Sequence, residues 1–177
     1  MRDLRVWRTQ VLESLMASGP ICRHAAHYII ENNVEIGFAR QSTAARWTLK
    51  GSIEPSSNLF SLATDPMETR LLGVIVHEVA HLEQGAALAL SVAGEVEGWR
   101  TEHNARLELN APIRNPHWAA VARTPDSPTD RELRQARREI LQMTGYRYLV
   151  WLLPLRPNFW TRFVEAMQRN IWGRTRA

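Results

Sequence analysis

The run Leu71-Leu72-Gly73-Val74-Ile75-Val76 is apolar nearly all round a helix, so a helix built on it belongs in the interior and the rest of the chain has to wrap it. Upstream, Asp65 is a good N-cap, Pro66 fits the first helical position, and Glu68, three residues after the cap, completes a capping-box pattern. Gly85 is a natural stop, and a second helix is predicted from Ala87 to Leu109. The buried helix continues into His77-Glu78-Val79-Ala80-His81. Two histidines and a glutamate among Leu, Val, Ile and Ala are costly to bury unless they are paired or bound to a metal.

Residues four apart lie on one helix face about one turn apart, so both imidazoles can reach one ion. Zinc favours histidine nitrogen, and a catalytic zinc site keeps a position open for water. Zinc is inferred over manganese or cobalt from the ligand types. Glu78 follows the first histidine directly, where its carboxylate can take a proton from water and deliver it to a leaving amine. The competing reading makes His77 and His81 satisfied core histidines.

The segment Leu72 to Gly85, LGVIVHEVAHLEQG, resembles the active-site helix of the zincin metallopeptidases, more narrowly the small gluzincin-like ones. In order of elements the resemblance covers roughly Val34 to Leu109. It implies a short sheet before the helix, a glutamate from the following helix as third zinc ligand, and Asn58–Ala63 as the edge strand along which a peptide lies. Downstream candidates for that ligand are Glu95, Glu97 and Glu102, since Glu83 shares the helix of His81 and points elsewhere. Glu95 and Glu97 are about 200° apart round a helix, so at most one faces the metal. Ser91, Gly94, Glu95 and Gly98 form a stripe of small residues round one carboxylate, which lets the two helices approach. Ser91-x3-Glu95-x2-Gly98 is also similar to a signature of some gluzincin families. Both arguments select Glu95, with Glu97 the alternative. Trp99 stands where several such families have Asp or Asn, so the partner that would orient a ligand histidine is unassigned. No further histidine follows in the three-histidine pattern, and His103 is read as an outer or solvent-facing group. Tyr146, Tyr148, His103 and His117 are the side chains available to stabilise an oxyanion.

Around this centre the sequence predicts helices over Leu4–Met16, Ile21–Glu31, Thr129–Met143 and Phe159–Trp172, and strands over Val34–Ala39, Ala44–Lys50 and Asn58–Ala63. Prolines at 112, 116, 125 and 128 make residues 110–129 a connecting segment. The expected fold is α+β, a mainly helical single domain over 1–177, with a small three-stranded sheet packed on the metal-bearing helix. Within it, residues 1–110 form the catalytic core and residues 111–177 an arginine-rich helical extension.

Charge divides the chain in the same place: residues 1–110 carry 10 basic and 13 acidic side chains, and residues 111–177 carry 12 and 5. That excess suits an anionic partner such as nucleic acid, the basis of an alternative reading as a binding module with structural zinc or none. Arg131, Arg134 and Arg138 read first as a salt-bridged exposed face, and His24 and His27 as surface histidines. The lone Cys22 excludes an internal disulfide. With no membrane-spanning run and no signal-like start, a cytoplasmic protein is expected. The reading is a zinc peptidase holding one Zn2+ on His77, His81 and Glu95, with Glu78 as general base and a peptide or protein as substrate.

Overall fold

A computed structural model describes residues 3–111, 114–145 and 149–175 of the 177-residue chain, with side chains as far as residue 169. The fold is α+β, mainly helical, with one three-stranded mixed sheet. Helix α1 (Leu4–Ala17) starts at Asp3, whose carboxylate accepts from the Arg5 amide, and buries Trp7, Val11 and Leu15 at four-residue spacing. Helix α2 (Pro20–Glu31) buries Cys22, Ala25, Ala26 and Ile29. Its first amides are met from far along the chain, the Glu108 carboxylate accepting from Ile21 at 3.0 Å and Cys22 at 3.4 Å. That charge sits at the positive end of the helix dipole. A Cβ on Gly19 would lie 2.5 Å from the same carboxylate, so a larger residue there would push the Glu108 side chain off these amides.

Strands β1 (Glu35–Ile36), β2 (Ala45–Trp47) and β3 (Ser52–Pro55) lie in the order β1-β3-β2, with β1 parallel and β2 antiparallel to β3. Ile36 pairs with Ile53, and both are buried. The third strand is therefore Ser52–Pro55, and the predicted strand over Asn58–Ala63 is not formed. There the Leu59 and Phe60 amides both bond the Ser56 carbonyl and the Thr64 amide bonds that of Ser61, so the segment coils. Pro55 is tolerated because it closes its strand, and its carbonyl still accepts from Ala39 at 3.1 Å.

Helix α3 (Thr69–Ala89) is the centre of the molecule, and every residue from Leu71 to His81 is buried. It begins later than the capping pattern suggested. Asp65 does accept an amide, from Met67 at 2.9 Å, but this closes an isolated turn, and Glu68 takes the N-cap position without a side-chain bond. Gly85, at φ 73°, breaks the helical path where a stop was expected, and a further helical stretch runs to Ala89. Helix α4 (Val92–Glu108) starts at Ser91, whose hydroxyl accepts from the Gly94 amide, later than the predicted Ala87. The proline-bearing segment expected to lack helix contains α5 (Pro116–Ala122), capped by Asn115 with Pro116 in its first turn. Helix α6 (Asp130–Thr144) carries a complete capping box between Thr129 and Glu132. After a 3-10 turn at Val150–Leu152, α7 (Phe159–Thr175) packs on α3.

Two apolar clusters result. One joins α1, α2, the sheet and α3; the other joins the start of α4 to Val121, Leu133, Ala136, Ile140 and Val150. Helices α3 and α4 pack extensively along each other, and β2 and β3 lie against α3. No described helix is long and apolar enough to cross a membrane.

Candidate metal centre

Helix periodicity sets His77 and His81 on the face of α3 that meets α4, and Glu95, in the first turn of α4, points back at them. One donor atom from each of the three lies within 4.8 Å of the others. Nε2 of His77 and Nε2 of His81 are 3.0 Å apart, and the Glu95 carboxylate oxygens stand 3.9 Å from the first and 3.7 Å from the second. Tetrahedral zinc with bonds of about 2.05 Å needs donors about 3.3 Å apart, so the set surrounds a zinc-sized position. Glycines make the room. A Cβ on Gly98 would fall 3.0 Å from His77 Nε2 and 3.2 Å from His81 Nε2, and one on Gly94 would fall 2.1 Å from the Leu88 carbonyl oxygen.

The far nitrogens of both rings are held. Nδ1 of His81 is 3.1 Å from Oε1 of Gln84, whose amide in turn donates to the Gly94 carbonyl at 3.2 Å. With Nδ1–H donating to Gln84, Nε2 of His81 is left as a lone-pair donor. Glu102 Oε2 lies 3.2 Å from Nδ1 of His77, close enough to pair although the N–H is not aimed straight at it. Arg106 holds the other oxygen of Glu102 through Nε at 3.1 Å and Nη2 at 2.8 Å. Glu102 thus fills the orienting role that the sequence left unassigned at Trp99. The Trp99 ring instead stands edge-on to His77, 5.0 Å between centroids. Gln84 and Glu102 were missed as orienting groups. Their signal was spacing: Glu102 lies seven residues, two helix turns, after Glu95, and Gln84 three after His81.

Charge also fits a divalent cation. Glu78, Glu95 and Glu102 are all buried, and Arg106 is the cation paired among them. With ionised carboxylates and neutral imidazoles the cluster carries a net −2, a charge that is expensive to bury alone. Without metal, a proton takes that place. Burial opposes a charge on His77, but Glu102, Glu78 and Glu95 together outweigh it and raise its pKa to about 9. Burial, followed by the charge on His77, lowers His81 to about 3. Burial pushes Glu78 up to about 7, although a backbone hydrogen bond from Trp47 of β2 favours its ionised form. Burial likewise opposes ionisation of Glu102, yet His77 and Arg106 hold its carboxyl below the ordinary range.

A cavity of ≈ 290 Å³ opens beside the centre, lined by His77 and Glu78 on one side and by residues 42–45, leading into β2, on the other. The strand bordering the cleft is therefore β2, an edge of the sheet; the expected Asn58–Ala63 reaches the cleft only through Leu59, from a coil.

Other predicted residues lie apart. Glu97 is exposed. Glu83 faces away and meets His24 at 2.6 Å, and His27 is exposed. His117 is 2.7 Å from Glu139, and His103 is half-buried with no partner for Nδ1. Tyr146 and Tyr148 lie outside the described residues. Among the described residues, the acids of α6 do not bridge its arginines: Glu132 serves the capping box, Glu139 meets His117, and Arg138 bonds Gln135. Two arginines of the C-terminal third expected to meet an anionic partner are engaged within the fold, Arg137 with the Leu153 carbonyl and Arg156 with Asp130.

No family model matches this chain, and neither a curated protein nor a solved structure does.

Proposed function

We propose that the protein is a zinc-dependent peptidase of the gluzincin type, with His77, His81 and Glu95 holding one zinc ion and Glu78 as general base. The observation that carries this reading is the convergence of two Nε2 atoms and the Glu95 carboxylate, with His77 of that set and Glu78 lining the adjoining cleft. Zinc bound there would supply a Lewis acid that polarises a scissile carbonyl and brings the pKa of water toward neutrality. The chain's own residues supply the remainder. Glu78, buried next to His77 and facing the cleft, can take a proton from water and return it to the leaving amine. The Trp47 amide orients that carboxylate. As an edge strand, β2 offers an extended peptide a place to add alongside it. The cytoplasmic setting expected from the sequence belongs to the same proposal.

The test is Glu78→Gln, assayed on a mixed library of quenched fluorescent peptides with zinc-loaded protein. Hydrolysis should fall by about 10²- to 10⁴-fold, the contribution of a positioned general base, while zinc stays bound. Undiminished turnover, or zinc lost together with activity, would refute the role of Glu78. A wild-type protein that binds zinc and cleaves nothing in the library would refute the peptidase reading.

A further inference from the structure

Helix α7 is docked with its apolar stripe outward. Thr161 is buried, and Glu165 reaches Gly85 of α3, its Oε1 2.7 Å from where a Cβ would stand, so the small and polar side of the helix faces the protein. Phe159, Trp160, Phe163 and Met167 are 73, 70, 51 and 49% exposed. At 3.6 residues per turn these four share one arc of roughly 100°. Arg162 and Arg169, both exposed, border that arc on one side.

Single exposed apolar residues are ordinary, whereas four bulky ones on one stripe mark an interaction surface. We propose that this stripe is a membrane-surface anchor that seats α7 flat in the headgroup region of an anionic bilayer. Charge selects the occupant. Residues 149–177 contain five arginines against one glutamate, a net of +4, so the segment is drawn to a negatively charged surface. Phenylalanine and tryptophan suit the boundary between headgroup and acyl chain, and bordering arginines can bury their stems while their guanidinium groups meet lipid phosphates. A nucleic-acid track would instead call for a groove of cations following the phosphates. This inference stands independently of the peptidase reading.

The test is flotation of the full chain with vesicles of phosphatidylcholine alone and of phosphatidylcholine with about a third phosphatidylglycerol. Binding should be at least tenfold stronger to the anionic vesicles and should weaken with salt. Phe159→Ser with Phe163→Ser should reduce it at least tenfold, and Arg162→Glu with Arg169→Glu should remove the preference for anionic lipid. The phenylalanines are exposed, so their double variant should keep the wild-type circular dichroism and melting temperature; Arg169 pairs with Glu165 at 3.3 Å, so the arginine variant should keep the circular dichroism and melt within a few degrees of wild type. Absent flotation, or flotation unchanged in the phenylalanine variant, overturns the proposal. Self-association abolished by that variant without vesicle binding assigns the stripe to a second copy and also overturns it. So does oligonucleotide binding lost in the arginine variant without flotation.

Discussion

Replacing Glu102 by Gln keeps the shape of the side chain and removes its charge. The carboxylate stands 3.2 Å from Nδ1 of His77 and 2.8 Å from Nη2 of Arg106, and at 3% exposure solvent does little to screen it. Glutamine has one acceptor oxygen where glutamate has two. Arg106 presents two N–H groups to Oε1, so the glutamine carbonyl goes to the arginine and its NH2 turns toward Nδ1 of His77. The imidazole then accepts at Nδ1 and carries its proton on Nε2, the atom that should face the metal. Losing such an orienting partner costs about 10- to 100-fold in metal affinity, or about 1.4–2.7 kcal/mol. Arg106 also lies over the Trp118 ring at 4.7 Å, which helps to hold it, so the fold should persist. Competition with a chromophoric chelator gives the zinc Kd, and a thermal melt of the metal-free variant reports on folding. A folded Glu102→Gln protein whose zinc Kd stays within about threefold of wild type would show that this carboxylate does not orient His77.

Gly98→Ala separates the site from the fold. The added Cβ crowds His77 Nε2 at 3.0 Å and His81 Nε2 at 3.2 Å, while alanine gains about 1 kcal/mol of helix propensity. Metal-free variant and wild type should melt within a few degrees of each other, with zinc Kd raised at least about tenfold; unchanged affinity would place the metal elsewhere. The pH dependence follows from His77. Its metal-free pKa of about 9 lies above the ordinary 6.5, so its stabilising contribution is complete below about 6.5 and is lost as pH rises through about 9. Zinc needs that nitrogen unprotonated, so its affinity rises over the same range. At fixed free zinc, the gap in melting temperature between zinc-loaded and metal-free protein should widen from pH 6.5 to 8.5, and a constant or narrowing gap would count against a protonated His77.

The mainly helical α+β fold was legible in the sequence because its strongest signals are local. The apolar run Leu71–Val76 forced α3 inward, and Thr129-Asp130 announced the start of α6. The misreadings came where one local signal serves two geometries. Asp65 accepts the Met67 amide in an isolated turn as readily as it would at a helix start. The short run Asn58–Ala63, bounded by polar residues, read as a strand, whereas the coil turns Phe60 inward and leaves Leu59 exposed at the cleft. Pro55 hid the end of β3, and Pro116 hid a helix start among residues that otherwise break helices. At the candidate site, the stripe Ser91-Gly94-Glu95-Gly98 did bring Glu95 to the histidines. The roles of Glu102, Gln84 and the Trp47 amide depend on the α3–α4 approach and on β2, which spacing within one helix does not fix.

The central claim is that His77, His81 and Glu95 form one metal site. Metal content per chain, measured on the wild type, His77→Ala, Glu95→Ala and Glu97→Ala after zinc loading and desalting, tests it most directly. About one zinc per chain is expected in the wild type and in Glu97→Ala, with its loss in His77→Ala and Glu95→Ala. A wild type that retains no metal, or a Glu95→Ala protein that retains as much as wild type, would contradict the site.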